Sequence, residues 1–177
     1  MIQLSAVLLT MAIFFGIIGY LRGWNKELIS MAGIILALFA LFQFDNLLRG
    51  VLLAGVSRDQ VFLVQAGIFL IVVFFAYQTR GMGGGRGPDG RDRLQSSILG
   101  GLVGFINGYL IWGSLWYFMD INAYPLAPSV IAPAPGSPSD QARNLLPLVV
   151  LGGGVTGTGD LLAIAVIVLF LIVLVVI

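Results

Sequence analysis

Residues 98–119 read ILGGLVGFINGYLIWGSLWYFM, a run of 22 residues without a charged side chain. A helix rises about 1.5 Å per residue, so this run would extend roughly 33 Å, about the thickness of the hydrocarbon core of a bilayer. Backbone N–H and C=O groups must be paired in lipid, and a helix pairs them within its own segment. The run is therefore predicted to be a transmembrane helix.

Four further apolar stretches of similar length lie along the chain, and all seventeen charged residues fall in the gaps between stretches. The four are Ile2–Leu21, Leu28–Phe44, Val61–Tyr77 and Leu161–Ile177. Only 10% of the 177 residues are charged, against about 25% in a typical soluble domain. The predicted fold class is all-α, a polytopic transmembrane helical bundle with about five transmembrane helices.

The stretches divide the chain into three parts. Residues 1–119 contain the first four predicted helices, residues 120–160 form a Pro/Gly-rich extramembrane segment, and residues 161–177 form the fifth helix. The middle segment contains six of the seven prolines, so it cannot be one continuous helix. Within it, the apolar residues 145–151 are too few to span and are expected to dip into the membrane interface. A short interfacial helix is expected between residues 45 and 60.

The chain contains neither cysteine nor histidine. These absences remove the usual ligands for zinc, haem iron and iron–sulfur clusters, together with the commonest general base. A non-enzymatic protein without a metal or cofactor is therefore predicted, although apolar grooves between helices could hold lipid, quinone or pigment without ligating side chains. No ionisable residue falls inside an apolar stretch, and such residues usually mark ion paths, so a transporter or channel is the least favoured class.

A glycine-rich string at residues 85–90 matches G-x-G-x-x-G. A dinucleotide site requires a strand before this string and a soluble helix after it, whereas here it lies between two predicted membrane helices. It is interpreted as a loop and not as a nucleotide site. No basic run is interleaved with aromatic residues, so nucleic acid is not expected as a partner.

Three glycines are spaced four apart in the stretch quoted above. Gly100, Gly104 and Gly108 would share one helix face, with Asn107 beside them. Small residues at this spacing let another helix backbone approach closely, although glycine is also simply frequent in membrane helices. A helix-packing face is predicted. Packing within the chain is favoured over packing against a partner, and both remain open.

Aromatic and amide side chains carry two further predictions. Trp112, Trp116 and Tyr117 gather near the end of the fourth stretch and are predicted to form an interfacial aromatic belt, with a lipid, quinone or pigment contact as the alternative. Gln65 and Asn107 are the amides deep within a stretch, and they are predicted to hydrogen-bond across helices.

The basic residues predict an orientation. Cytoplasmic loops carry an excess of Lys and Arg, and two gaps hold six of these residues against three in the others. The six are Arg22, Lys26, Arg80, Arg86, Arg91 and Arg93, and the three are Arg49, Arg58 and Arg143. The N-terminus is therefore expected outside and the C-terminus in the cytoplasm.

Two motifs resemble the colicin V production protein family (CvpA-like). The first is Arg22-Gly23-Trp24-Asn25-Lys26-Glu27-Leu28, with a basic–acidic pair, and the second is Asp92-Arg93-Leu94 followed by the spaced glycines. Ion pairing among Arg22, Lys26 and Glu27 is expected to contribute little, because the turn is predicted to be exposed. The resemblance covers residues 1–119. The family's acidic residue near the start of the first helix is missing, and the chain diverges after residue 120.

The resemblance implies a small protein of the bacterial cytoplasmic (inner) membrane without established enzymatic activity. The leading hypothesis is a CvpA-like, non-enzymatic membrane protein that acts through helix packing with membrane partners, in contact with lipid and with a membrane protein or complex. The alternative is an accessory or scaffolding subunit of a large respiratory or photosynthetic complex.

Overall fold

A computed structural model describes residues 3–78 and 90–176, and these residues form helices, turns and loops without a strand. The α-helices of this part are α1 (Leu4–Arg22), α2 (Trp24–Gln43), α3 (Asp45–Leu47), α4 (Arg58–Gln78), α5 (Gly90–Ile121), α6 (Pro138–Ala142), α7 (Pro147–Val150) and α8 (Asp160–Val176). A π-helical turn, Leu48–Leu52, follows α3 directly. The all-α class is confirmed.

Four of the described helices are long and apolar enough to cross a membrane, namely α1, α2, α4 and α5. The last helix, α8, has the same apolar character but contains 17 residues. The structure thus contains a bundle with four helices of spanning length and a shorter fifth apolar helix.

The helices extend beyond the apolar stretches, so several charged residues of the gaps lie at helix ends. Arg22 ends α1 and Gly23 alone separates it from α2, whose first turn contains Lys26 and Glu27. Gly23 has a φ of 82°, a left-handed value that glycine adopts without steric cost. Helical hydrogen bonding is a backbone property, and it continues through polar residues where a turn is not yet required.

The long helix α5 organises the bundle. It lies against α1 over much of its length and also packs against α2 and α4, while α2 contacts α4 and α8. Although α1 and α2 are joined by a tight turn, they contact each other little. The core contains buried side chains from α2, α4, α5 and α8, including Ile34, Phe69, Ile111 and Leu162, and partly buried side chains of α1 pack against it.

The proline-rich segment folds onto the end of this bundle. Leu146 and Leu148 are buried in the same core as the long helices, whereas Leu145 is exposed. The contact of residues 145–151 with the membrane interface stays a prediction. Gly113 on α5 makes room for this segment, since a Cβ there would lie 2.5 Å from Cδ of Pro147. Ser139 also hydrogen-bonds Ser5 near the start of α1, with 3.0 Å between their hydroxyl oxygens.

Candidate functional site: two polar clusters at opposite ends of α2

The spaced glycines bring the backbones of α1 and α5 into direct contact. A Cβ added at Gly104 would lie 2.9 Å from Cα of Gly19, and one added at Gly108 would lie 2.8 Å from Cα of Ala12. A Cβ added at Gly100 would lie 2.9 Å from Cα of Gly23, which follows α1 directly. Real Cβ atoms essentially never approach a neighbour within 3.0 Å. The glycine face is therefore occupied by α1 of the same chain and is not available to a separate partner.

The first polar cluster surrounds Glu27, whose side chain is completely buried. One carboxylate oxygen accepts a hydrogen bond from Nη1 of Arg22 at 2.5 Å. The other accepts from Nδ2 of Asn107 at 2.8 Å and from the hydroxyl of Tyr77 at 3.2 Å. The turn was predicted to be exposed, and that prediction was wrong for Glu27, which residues of α4 and α5 cover, whereas Asn25 and Lys26 are exposed.

Arg22 and Ser30 extend this cluster to the backbone of α4. Nη2 of Arg22 donates to the carbonyl of Tyr77 at 3.0 Å, and the guanidinium carbon lies 4.4 Å from the centroid of the Tyr77 ring. The hydroxyl of Ser30 lies 3.2 Å from the carbonyl oxygen of Ala76. The Glu27 cluster (Arg22, Glu27, Ser30, Tyr77 and Asn107) thus joins α1, α2, α4 and α5.

The geometry of the Glu27 cluster favours a structural role. Both carboxylate oxygens of Glu27 have partners, and its positive charge partner, Arg22, is in direct contact. A buried charge held in this way is not free to bind a ligand, and removal of one partner would leave the other uncompensated. Within the part of the chain that the structure describes, Oδ1 of Asn107 is a buried acceptor without a hydrogen bond.

The residues predicted to form an interfacial aromatic belt lie mostly inside the protein. Trp116 and Tyr117 are buried and Trp112 is partly buried, so the belt prediction was wrong for this end of α5. The indole N–H of Trp116 donates to the hydroxyl of Tyr124 at 3.1 Å. Residues that follow α5 fold back over it, and they cover side chains that the sequence alone would leave at a membrane surface.

The second polar cluster lies at the other end of α2. Nε2 of Gln65 donates to Oδ1 of Asp45 at 3.0 Å, and Nδ2 of Asn122 donates to Oε1 of Gln65 at 2.9 Å. Burial raises the pKa of the Asp45 carboxyl, while Arg49 and the Gln65 hydrogen bond oppose the rise. Eighteen residues separate Glu27 from Asp45, so the two clusters lie roughly 27 Å apart along the helix. Gln65 does hydrogen-bond between helices, as predicted.

A cavity of about 160 Å³ opens beside this second cluster. It is lined by charged and polar side chains, among them Asp45, Arg49, Gln65 and Tyr117. Thr158, which precedes α8, also lines it and so places the polar end of the last helix at the rim. We call this space the Asp45 cavity. Polar groups from several elements converge there on open space.

The remaining motif residues lie apart from both clusters. Lys26 and Arg93 are exposed, while Gly23 and Trp24 are partly buried. The side chain of Asp92 lies outside the described residues, as do residues 80–89 with most of the G-x-G-x-x-G string. Among the described residues, no group of three potential acidic, cysteine or histidine metal ligands is present.

Comparison with protein-family models, with curated proteins and with solved structures found no match to this chain.

The residues that sequence reasoning missed are Asp45, Asn122 and Tyr117 as members of one site. Asp45 and Arg49 are spaced one helical turn apart, which was a usable signal for a shared face. Nothing in the spacing pointed to Asn122 or Tyr117, because they reach the site only through the packing of α5 against α2 and α4.

Proposed function

We propose that this chain is a non-enzymatic integral membrane protein that acts by packing against another membrane component. The supporting observation is the one-sided attachment of α8. Among the long helices it packs on α2, through buried residues such as Leu162 and Leu169, while Phe170 is 61% exposed. The glycine face of α5 is already occupied by α1. We assign the protein partner to the exposed face of α8, although α1 also presents exposed apolar side chains such as Phe14.

The start of α8 is held in place by the preceding segment. The amide of Leu162 donates to the carbonyl of Leu151 at 3.0 Å, and the amide of Gly159 donates to the carbonyl of Gly152 at 3.1 Å. These bonds fix the direction in which α8 leaves the bundle. A helix presented in a fixed orientation loses less conformational freedom when a partner packs against it.

The motifs of the first 119 residues support placing the protein beside the CvpA-like family, in a bacterial cytoplasmic membrane. The excess of basic residues in two gaps supports an outside N-terminus and a cytoplasmic C-terminus. Attachment of α8 on one side also suits the accessory-subunit alternative, in which the partner is a large respiratory or photosynthetic complex.

Site-specific photo-crosslinking in intact membranes tests the proposal. A photoreactive phenylalanine analogue at Phe170 should yield a discrete protein adduct, because this side chain projects from the free face of α8. The matched control is Phe14 on α1, which is 54% exposed and should react with lipid only. The partner protein found in the adduct should also co-purify with the unmodified chain in mild detergent.

The possible crosslinking results lead to different conclusions about the partner surface. A discrete adduct at Phe170 and none at Phe14 would support a partner on α8. Lipid adducts alone at both positions, with the protein migrating alone in mild detergent, would overturn the docking proposal. An adduct from Phe14 instead of Phe170 would move the interface to α1 and remove α8 from it.

A further inference from the structure

The Asp45 cavity contains donor groups that make no hydrogen bond within the described residues. It also contains an ion pair whose charged atoms are farther apart than in a hydrogen bond. The guanidinium of Arg49 lies 3.9 Å from Oδ2 of Asp45, which is longer than a hydrogen bond. Among the described residues, Arg49 makes no hydrogen bond and neither does the hydroxyl of Tyr117, although Tyr117 is only 6% exposed. Both side chains line the cavity, so their donor groups are free to bind a polar ligand there.

The charges define the class of that ligand. Asp45 presents one negative group and Arg49 one positive group on the same side of a helical segment, and no other charged residue lines the cavity. An ammonium group suits the carboxylate, and a phosphate suits the guanidinium, which can offer it two parallel donors. A zwitterion carrying both groups would satisfy the site without leaving an uncompensated charge.

An apolar groove lies next to the cavity. It has a volume of about 390 Å³ and is lined entirely by apolar side chains, including Ala37 and Ala40 of α2 and Ile68 and Val72 of α4. Leu41 lines both the groove and the cavity. An acyl chain in the groove would therefore begin beside the polar groups.

The spacing of the lining residues along the helices places the Asp45 cavity and the apolar groove next to each other. On α4, Gln65 in the cavity precedes Ile68 and Val72 in the groove by three and seven residues, so the three share one helix face. On the segment after α2, Asp45 and Arg49 line the cavity, whereas Leu47 and Leu48 line the groove. One molecule with a polar head and an apolar chain fits this arrangement.

We infer that the Asp45 cavity and the adjoining groove bind one zwitterionic phospholipid with a primary ammonium headgroup. Arg49 contacts the phosphate, Asp45 accepts hydrogen bonds from the ammonium, and an acyl chain lies along Leu41, Ile68 and Val72. A quaternary ammonium carries no N–H and cannot donate to Asp45. An anionic headgroup without an ammonium would occupy Arg49 and leave the Asp45 carboxylate without a cationic partner.

Native mass spectrometry of the full chain in detergent tests this inference. Dioleoyl phosphatidylethanolamine, phosphatidylcholine and phosphatidylglycerol are each titrated into the delipidated protein. The ethanolamine lipid should be retained about tenfold more strongly than the choline lipid, the ratio expected for one charge-assisted hydrogen bond. Equal retention of these two lipids by the wild-type protein would overturn the inference without any variant.

Three variants assign the roles. Asp45→Asn should abolish the preference for ethanolamine over choline, Arg49→Gln should weaken retention of all three phospholipids, and Asp59→Asn should change neither. Asp59 is a suitable control because it is exposed at the start of α4 and does not line the cavity. A preference that survives Asp45→Asn would refute the headgroup assignment. If Asp45→Asn does not fold, Tyr117→Phe removes one hydroxyl from the same cavity and should reduce retention.

A competition experiment tests whether the zwitterion is part of a lipid or is a soluble molecule. Free phosphoethanolamine, which lacks acyl chains, should not compete with the ethanolamine lipid at equal concentration. Full competition would show that the groove does not contribute and would overturn the lipid assignment in favour of a soluble ligand. The proposed docking of α8 is independent of this result, because Phe170 does not line the cavity.

Discussion

At the residue scale, burial of Glu27 is the main departure from what local sequence suggests. A glutamate next to a lysine, four residues into a helix, is normally solvated. Here the side chain has no exposed surface, and Arg22, Tyr77 and Asn107 all donate hydrogen bonds to it. Because a buried ion pair loses much of its hydration, it adds little net stability, but removal of one partner leaves the other charge uncompensated.

We expect Glu27→Ala to destabilise the protein by about 3–5 kcal/mol, because it leaves the Arg22 charge and two buried donors without their acceptor. Thermal unfolding in detergent measures the loss. Lys26→Ala is the matched control, since Lys26 is exposed on the neighbouring position and should shift stability by less than about 0.5 kcal/mol.

The double variant Arg22→Met/Glu27→Leu tests whether the stability loss in Glu27→Ala comes from the uncompensated charge or from lost packing. With both charges removed, the loss should be smaller than for Glu27→Ala alone, because no uncompensated charge remains. Equal stability of Glu27→Ala and Lys26→Ala would show that Glu27 is solvated and that the cluster does not form.

At the scale of elements, α1 and α5 pack closely because the residues of α5 at the contact are glycines, which have no side chain. Apolar side chains gain little by leaving lipid for another apolar surface, so helix association in a membrane depends on close backbone packing and hydrogen bonds. Gly100, Gly104 and Gly108 supply the close packing, and Asn107 on the same helix supplies a hydrogen bond to α2.

Gly104→Leu should lower stability by about 3 kcal/mol, the upper end of the range for overpacking, because its new side chain would meet the backbone of α1. Gly67→Leu in α4 is the matched control, since a Cβ there would meet no atom within 4 Å. Unfolding in detergent compares the two. If Gly104→Leu is tolerated and Gly67→Leu is destabilising, the close helix contact lies on α4 and not on α5.

At the scale of the whole molecule, the polar clusters mark the two ends of α2 and so the two sides of the bundle. The Glu27 cluster lies near the turn between α1 and α2, and the Asp45 cavity lies near the start of α4. Under the proposed orientation, the first faces the cytoplasm and the second faces outside.

Single cysteines test this orientation, because the chain contains none of its own. With an impermeant thiol reagent, Ser57→Cys should label in intact cells, whereas Gln95→Cys should label only after permeabilisation. Both positions are exposed, and Ser30→Cys, which is fully buried, should not label in the folded protein. Labelling of Ser57 and Gln95 from the same side would contradict the topology, and the opposite pattern would invert it.

The sequence by itself determined the elements of this protein. Each apolar stretch corresponds to one helix, and four of these helices are long enough to span a bilayer, where backbone groups must be paired within the segment. The spacing of Gly100, Gly104 and Gly108 marks a close-packing face for a similarly local reason. These properties depend on residues within one helix, so the sequence alone contains them.

Only the tertiary structure decided the surroundings of the polar and aromatic residues. Glu27 meets Asn107, 80 residues away, and Trp116 is covered by residues that fold back after α5. The Asp45 cavity combines side chains of α2, α4, α5 and the segment before α8. Burial of a residue depends on which distant element lies over it. Helix period and composition carry no information about that choice.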